Sequence, residues 1–455
     1  MFKKILIVAL TLGLMAAFTV QNATALDPKW REKQAALFEQ IGLKPGDTIE
    51  KGDWKKIESL VPDKIVEWVK TGDIIQMKIA EMKYDILVDD AFIKNSAKNA
   101  GNFKLDSTKN LVKVANGKPP EWIHGTPFPN VDIANDPDGA TKYLYNRLCS
   151  LLRWNSSTQV YTVWWVGEDG LERTLGNRTI RYCYWFRPPQ ERTKNLKGYR
   201  FVDLYGALFP YDVAGMAQMT YRKSDGSEDA LFCYVPAIRR VKRMSGANRS
   251  DAYMGSDGCI DDTAAFAGLI SSMKWRFIEE RPGLLCFLDG TQDSISKMQK
   301  LPDGTFRTPS SQNRVRQGWE KEGWKGAKWA ITNLVWVPRT FYVIEALPLD
   351  PFYNYGKTVY WIDKETYWGT YKQIWDRAGE YWKTNLYLPR CFEWGNERGV
   401  TAGSSCYLII DKRTNHCTIV VATGESSGLT NYLEFNNPNV NPGRFTMKAL
   451  RTWSK

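Results

Sequence analysis

Residues 357–383, KTVYWIDKETYWGTYKQIWDRAGEYWK, decide how this chain folds. Two clusters of turn-forming residues, at 363–366 and 376–379, separate three short runs rich in Tyr, Trp, Val and Ile. β-Branched and aromatic side chains suit a pleated surface, whereas Asp and Gly suit turns. The pattern therefore predicts a meander of three antiparallel strands joined by tight connections.

The middle strand of this meander has no cleanly polar face. Strict alternation assigns its residues to two sets, Tyr367, Gly369, Tyr371, Gln373 and Trp375 against Trp368, Thr370, Lys372 and Ile374. Either both faces are covered, as in a sandwich core, or one of them lines a cavity. A glycine in mid-strand is typical of a bend or bulge, so we expect Gly369 to curve the sheet and Tyr371 and Trp375 to share its face.

Composition describes a globular protein with a large core. The chain has 455 residues, of which 43% are hydrophobic and 25% charged, with a formal net charge of +12. Helix patterns dominate 26–140, which we interpret as a helical and mixed segment that packs on a sheet. Strand patterns dominate 141–455, which we interpret as one antiparallel β domain. Residues 256–272 are predicted to form one short helix that Asp257, Asp261 and Asp262 cap.

The first 25 residues have the pattern of a cleaved export signal. Lys3 and Lys4 precede a mostly apolar run, and Ala23 and Ala25 form a small-residue cleavage site. We expect a mature periplasmic chain that starts at Leu26 and does not span the membrane, with peripheral contact with membranes allowed. Nucleic acid is excluded as a target in that compartment.

Eight cysteines fit an oxidising compartment and permit up to four disulfides. Several of them lie inside strand-like runs and can equally serve as small buried apolar residues. Their pairing does not follow from the sequence.

The sequence predicts no catalytic residue, metal site or cofactor. The two histidines, His124 in a Pro/Gly loop and His416 beside a hairpin turn, have no nucleophile motif near them. The acid cluster at 257–262 could bind a hard cation, but helix capping explains the same residues. A basic run, Arg239, Arg240, Lys242 and Arg243, ends a predicted strand. It is either a solvated strand end or a docking surface for an acidic partner or anionic headgroups.

Several short motifs resemble those of the periplasmic DUF1329 family. They are GDTI at 46–49, LVPD at 60–63, GTPFP at 125–129, YVPAIRRV at 234–241, GSDG at 255–258, WID at 361–363 and DRAG at 376–379. That family is similar to the outer-membrane lipoprotein-sorting carriers (LolA- and LolB-like). The resemblance implies an α+β fold in which a large curved antiparallel half-barrel sheet has helices covering its concave face, with an apolar cavity between them. It also implies two partners, an RND/MMPL-type inner-membrane exporter and a DUF1302-type outer-membrane protein.

From these observations we expect a non-enzymatic periplasmic carrier for a lipid or other hydrophobic molecule, active in envelope lipid trafficking. Its ligand-cavity candidates are Phe232, Tyr234, Trp361, Tyr371 and Trp375. Two alternatives stay open: an envelope glycan-binding or scaffold protein, and an unrecognised hydrolase. A closed apolar cavity would favour the carrier, an exposed aromatic groove the glycan binder, and a polar cleft with a histidine or acid pair the hydrolase.

Overall fold

The computed structural model describes residues 28–85, 90–151, 153–245, 249–293, 295–308, 314–394 and 397–453. The expected export signal at 1–25 lies outside these residues. The α-helices are α1 (Pro28–Ile41), α2 (Asp63–Thr71), α3 (Asp90–Asn99), α4 (Gly139–Leu151) and α5 (Met447–Arg451). The strands are β1 (Thr48–Glu50), β2 (Gln76–Ile79), β3 (Phe103–Leu105), β4 (Leu111–Lys113), β5 (Ser156–Gly167), β6 (Gly170–Cys183), β7 (Tyr199–Phe209), β8 (Ala217–Lys223), β9 (Ala230–Val235), β10 (Arg240–Met244), β11 (Met273–Leu288), β12 (Ser296–Lys297), β13 (Gln299–Lys300), β14 (Phe306–Arg307), β15 (Leu334–Pro348), β16 (Tyr355–Asp363), β17 (Gly369–Asp376), β18 (Tyr381–Trp394), β19 (Glu397–Asp411), β20 (His416–Val421), β21 (Glu425–Ser426), β22 (Leu429–Thr430) and β23 (Tyr432–Phe435).

One large, open antiparallel sheet forms the body of the protein. Its strands follow the order β11-β15-β16-β17-β18-β19-β20-β5-β6-β7-β8-β9-β10. Among the described residues β10 and β11 do not pair with each other, so the sheet does not close into a barrel. The predicted α+β fold with an unclosed antiparallel sheet is confirmed.

The predicted meander is present as β16, β17 and β18, but a bulge changes the faces of its middle strand. Opposite β16, Trp361 pairs with Tyr371 and the next residue, Ile362, pairs with Gly369. The extra residue between them shifts the alternation, so Gly369 faces Ala265 while the Tyr371 hydroxyl donates to the Leu284 carbonyl on the other side. The expectation that Gly369 and Tyr371 share a face is wrong, because the extra residue, Thr370, lies between them.

The N-terminal segment packs on the sheet and shares its main core. Helix α1 begins and ends where the apolar spacing predicts, and α2 ends at Gly72, whose φ of 91° suits a glycine. The backbone amide of Leu284 on β11 donates to the Leu60 carbonyl at 2.9 Å, which ties this segment to the sheet. Side chains from both regions belong to one hydrophobic core, and the boundary at residue 140 stays a prediction.

The helix predicted at 256–272 is absent. The segment holds only short 3-10 turns, at Tyr253–Gly255, Ile260–Asp262 and Ile270–Ser272. Ala264 and Ala265 have φ values of 51° and 68°, which a right-handed helix cannot contain. Of the acids expected to cap a helix, Asp261 and Asp262 are instead buried and paired with Arg249 and Lys372, and Asp257 is half-buried beside His416.

Lys372 and Asp262 form the ion pair that attaches this segment to the meander. Their side chains are 1% exposed, and Lys372 Nζ lies 2.6 Å from Asp262 Oδ1. The hydroxyl of Tyr355 donates to Asp262 Oδ2 at 2.8 Å, and that of Tyr387 donates to the Asp262 carbonyl at 2.6 Å. Burial alone would raise the pKa of Asp262, but Lys372, the Cys259 amide and the Tyr355 hydroxyl hold it below its ordinary value.

All eight cysteines are free thiols, and seven of them are buried. Burial raises the pKa of Cys183 to about 12 and that of Cys391 to about 11. These side chains are therefore protonated at neutral pH, and they pack as small apolar residues instead of forming the disulfides that the composition permits.

Replacing Lys372 by Met should lower the free energy of unfolding by about 3–5 kcal/mol, because Asp262 then stays buried without its cation. The matched control is Lys364→Met, since Lys364 pairs with Glu280 at 2.7 Å while both side chains are about 40% exposed. That variant should lose no more than about 1 kcal/mol. Denaturant titrations measure both losses, and equal losses would contradict a structural role for the buried pair.

Candidate functional site

A cavity of about 230 Å³ lies between one face of the sheet and a cover made of α4 and residues 249–272. Strand residues at every second position form its floor, as expected for one face of a sheet. They are Ser157, Gln159, Tyr161 and Val163 of β5, Thr179 and Arg181 of β6, Phe201, Asp203 and Tyr205 of β7, Thr220 and Arg222 of β8, Tyr407 and Ile409 of β19, Thr418 and Val420 of β20, and Leu433 and Phe435 of β23.

Helix α4 supplies the opposite wall. Leu144, Arg147, Leu148 and Leu151 line the cavity with the spacing i, i+3, i+4, i+7, which is one face of a helix. The other side of the same helix contacts the meander, where the Tyr143 hydroxyl donates to the Asp363 carbonyl at 3.2 Å. The helix is therefore held by its outer side while its apolar stripe faces the cavity.

The set of lining strands requires a strongly curved sheet. From β19 to β8 the sheet takes five steps between neighbouring strands, which would span about 24 Å if it were flat. One cavity of this volume contacts both ends of that span, so the sheet curves around it. The predicted concave face covered by a helix and enclosing a largely apolar cavity is thus present.

Five arginines line the cavity, at positions 147, 181, 200, 222 and 249. Arg181 holds Asp203 with two bonds of 2.6 Å. Arg222 and Arg249 share Asp229, at 2.6 and 2.7 Å. Burial alone would lower the pKa of Arg181 and Arg249 and raise that of Asp229, but the ion pairs reverse each shift.

Arg200 is the exception among these arginines. It is 5% exposed, and among the described residues its guanidinium has no hydrogen-bond acceptor and no carboxylate partner. The rings of Trp185 and Phe201 lie at 5.3 and 5.5 Å from its guanidinium, and Asp229 acts on it electrostatically without forming a hydrogen bond or an ion pair with it. Burial and the nearby Arg222 lower the pKa of Arg200 to about 9, which reflects the cost of an uncompensated charge.

A β-bulge turns Arg200 toward the cavity. In the pairing of β7 with β8, Tyr199 is opposite Lys223 and Phe201 is opposite Arg222, so Arg200 is the extra residue. Phe201 occupies the cavity-facing position of β7, and the bulge allows its neighbour Arg200 to line the same cavity. Bulges commonly redirect a side chain in this way beside binding sites.

The five aromatic residues that the sequence suggested as cavity candidates lie elsewhere. Phe232 and Tyr234 pair with β8 residues whose side chains face away from the cavity, and the C-terminal segment around α5 covers that face. Trp361 and Tyr371 are buried in the main core, on the side of the meander that the bulge separates from Gly369. Trp375 is half-buried, with Lys357 Nζ 4.1 Å from its ring centre.

The basic run lies where the sequence suggested, at the end of a strand. Arg239 occupies the turn between β9 and β10 with a φ of 50°, and Arg240, Lys242 and Arg243 follow on β10. All four side chains are exposed. They lie on the edge strand of the sheet and do not line the cavity.

Neither histidine has the surroundings of a catalytic base. His416 Nδ1 lies 2.6 Å from Asp257 Oδ2, and its Nε2 lies 3.3 Å from Glu172 Oε2, so carboxylates face both ring nitrogens. His124 Nδ1 lies 3.0 Å from the Asn95 amide, and its ring packs edge-on against Phe92. A triad needs a hydroxyl or thiol on the second nitrogen of a histidine–aspartate pair, and at His416 that place is taken by Glu172.

No group of three or more His, Cys, Asp or Glu side chains in the described ranges is placed to hold a metal ion. None of the helices in this part of the chain is long and apolar enough to cross a membrane.

The family model described as "Protein of unknown function (DUF1329)" matches residues 48–451. Among solved structures, the chain is similar to a protein domain from Vibrio parahaemolyticus described as outer-membrane lipoprotein-sorting, with 17% identity and a TM-score of 0.46, over 70% of this chain and 100% of that one. The chain is also similar to a DUF1329 family protein from Desulfovibrio piger, with 13% identity and a TM-score of 0.44, over 70% of this chain and 100% of that one. A third similar structure is a LolA superfamily protein from Nitrosomonas europaea, with 10% identity and a TM-score of 0.37, over 66% of this chain and 98% of that one. No curated protein matches the chain.

The His416–Asp257 contact attaches the cavity cover to β20 and should make stability depend on pH. The hydrogen bond with Asp257 raises the pKa of His416 above its ordinary value, against partial burial, which lowers it. This stabilisation is fully present below the unfolded pKa of about 6.5 and is lost as pH rises through the higher folded pKa. We expect His416→Gln to lower the melting temperature more at pH 5.5 than at pH 9.

Asp257→Asn is the matched background for this measurement. Thr418 Oγ1 also donates to Asp257 at 2.7 Å, so the amide variant keeps one acceptor for the loop while it removes the charge. In that background the effect of His416→Gln should vary much less with pH. An effect that is the same at both pH values in the unmodified protein would show that the pair carries no charge-dependent stabilisation.

Proposed function

This chain belongs to the DUF1329 family, and we propose that it is a non-enzymatic carrier that sequesters a hydrophobic molecule in its cavity. The observation that carries the proposal is the enclosure of the cavity between α4 and the concave face of the sheet. Small-molecule sites are concave and mostly apolar, with a few polar groups that fix orientation, and this cavity has that composition.

The size of the cavity suits one alkyl chain or a small ring system. An apolar cavity of about 150 Å³ in a well-studied lysozyme variant holds a benzene molecule. This cavity is larger, at about 230 Å³. Each methylene removed from water contributes about 0.8 kcal/mol, so a partly inserted chain offsets the cost of association and is still released reversibly.

The competing functions have less support. A glycan-binding platform requires exposed aromatic rings, and in the described part of the chain only two large aromatic side chains are strongly exposed, Tyr211 and Phe352. A hydrolase requires a nucleophile or a water-activating pair in a cleft, and His416 is enclosed by carboxylates. The carrier hypothesis uses the cavity between α4 and the sheet, which neither alternative requires.

The basic β9–β10 hairpin is the docking element of this proposal. Its four exposed cations project from an edge of the sheet that is separate from the cavity, so a docked carrier keeps its ligand enclosed. We propose that the protein acts in the periplasm, that an acidic surface of an RND/MMPL-type exporter or the anionic membrane around it binds this hairpin, and that a DUF1302-type outer-membrane protein is a further partner.

Leu148→Trp should block the cavity and abolish binding of a neutral apolar probe such as N-phenyl-1-naphthylamine. Leu148 is half-buried on α4 and faces the cavity, so the larger ring can occupy space that the ligand needs. Probe fluorescence is titrated with the mature protein, and native mass spectrometry of the same sample detects a lipid that co-purifies. Overpacking should cost about 1–3 kcal/mol, which thermal melts measure.

The control for this experiment is Trp375→Ala, because Trp375 lies outside the cavity. That variant should bind the probe as the unmodified protein does. If the unmodified protein binds no probe and carries no lipid, or if Trp375→Ala loses binding as fully as Leu148→Trp, the proposed carrier site is wrong.

Charge reversal of Arg239, Arg240 and Lys242 to Glu should lower the affinity for phosphatidylglycerol vesicles at least about tenfold, as measured by co-sedimentation. The dependence of this binding on salt should also disappear. The melting temperature should stay the same, because these side chains are exposed. The control reverses Lys194 and Lys197, which are exposed on a distant loop. If vesicle binding is equally weak in both charge-reversed variants, net charge explains the loss and the hairpin is not a docking element.

A further inference from the structure

The charges around the cavity do not balance. Five guanidinium groups line the cavity, but only three carboxylates pair with them. These are Asp203, Asp229 and Asp261, and their partners are Arg181, Arg222 and Arg249. Arg249 Nε donates to Asp261 at 2.8 Å, and the remaining pairs are those described above. Five cations against three anions leave two positive charges beside the cavity, on Arg147 and Arg200.

The two unbalanced arginines differ in their hydrogen bonds. Arg147 donates to the carbonyl of Ala264, which binds it to the cavity cover, although its Nε has no acceptor. Arg200 makes no such bond within the described ranges, and its Nε is also buried without an acceptor. Leaving a buried donor unbonded costs free energy, so a side chain of this kind usually has a partner that binds it in the working state of the protein.

The protein redirects its backbone to place Arg200 there. Without the bulge at Tyr199–Phe201, regular alternation would put Arg200 on the face opposite Phe201, where Tyr199 packs against the rings of Tyr184 and Tyr221. Both backbone amides of residues 184 and 185 donate to the Arg200 carbonyl, at 2.9 and 3.4 Å, which fixes the bulge. An arginine turned into an apolar cavity by a fixed bulge is a positioned binding group.

We propose that the ligand of this cavity is an anionic amphiphile, and that its oxyanion headgroup pairs with the guanidinium of Arg200. The inference rests on the proposed carrier function and names the class of molecule carried. A planar guanidinium binds a carboxylate or phosphate oxyanion through two parallel hydrogen bonds. The alkyl chain of the same molecule lies along the apolar stripe of α4, at Leu144, Leu148 and Leu151.

A single negative charge matches the site best. Near Arg200 the paired groups Arg181–Asp203 and Arg222–Asp229 already satisfy each other, so one further anion neutralises Arg200, while Arg147 keeps its bond to the Ala264 carbonyl. A carboxylate or a phosphodiester supplies that charge. A neutral alcohol offers only weak hydrogen bonds to the guanidinium, and a cationic headgroup is repelled by it.

Displacement of N-phenyl-1-naphthylamine from the mature protein at pH 7.5 tests this proposal. The competitors share one chain length and differ in headgroup: dodecanoate, dodecyl phosphate, dodecanol and dodecyltrimethylammonium, each below its micelle concentration. We expect dodecanoate to displace the probe at a concentration at least about tenfold lower than dodecanol, as for a buried charge pair. Acetate and inorganic phosphate should not displace it, because they lack the chain.

Four variants assign the preference to a residue. Arg200→Gln should make dodecanoate and dodecanol equal, and Arg200→Lys should restore part of the difference because it keeps the charge. Arg178→Gln is the matched control, since Arg178 lies on β6, also has a buried Nε without an acceptor, and stacks at 4.5 Å on Trp453 outside the cavity. Arg147→Gln separates the two unbalanced cations, and loss of the preference in that variant alone would overturn the assignment to Arg200.

Thermal melts distinguish a binding residue from a structural one. Removing an unpaired buried charge relieves a cost, so ligand-free Arg200→Gln should melt no lower than the unmodified protein. Equal displacement of the probe by dodecanol and dodecanoate in the unmodified protein would refute the anionic ligand and leave the carrier intact. Displacement by acetate or inorganic phosphate as strong as by dodecanoate would also refute the amphiphile. Failure of every alkyl compound to bind would remove the carrier function itself.

Discussion

Buried ion pairs hold the cover of the cavity in place, and the shape of the site depends on them. Residues 249–272 contain no α-helix, so they have little regular backbone hydrogen bonding of their own. Arg249–Asp261 and Lys372–Asp262 fix them to each other and to the meander. Because these charges are desolvated, each one is destabilising unless its partner is present. The cover therefore has one well-defined position, and the cavity beneath it has a defined volume.

Local patterns predicted the regular elements well, because their signals are contained in a few neighbouring residues. The three strands of the meander, helix α1 and the glycine that ends α2 follow from periodicity and turn chemistry. The helix predicted at 256–272 is absent for a tertiary reason, since Asp262 pairs with Lys372 of the meander while Asp261 pairs with Arg249 in the cover itself. Lys372 and Asp262 are 110 residues apart in the sequence, so a pattern of neighbouring residues cannot predict that they pair.

The composition of the site was harder to predict from the sequence. The sequence assigned the aromatic residues of the meander to the cavity. A one-residue bulge instead places Tyr371 in the core. Alternation predicts the wrong face for each residue that follows a bulge. The arginines were overlooked, although a signal was present: Arg181, Arg200 and Arg222 each follow an apolar or aromatic residue within a strand. Arginine is rarely buried without a partner, so arginines at these positions indicate carboxylates or a bound anion in the interior.

An open sheet has two free edges, and each one is a template for pairing with another chain. In this protein β11 is shielded by residues 59–60, whose carbonyls accept from Arg281 and Leu284. The β10 edge has no comparable shield in the described residues, but three of its five residues are Arg or Lys. Two such edges repel each other, so the chain can keep an unclosed, curved sheet without polymerising through it. Protection of the β10 edge against pairing is thus a consequence of where the basic residues lie, independent of any partner they bind.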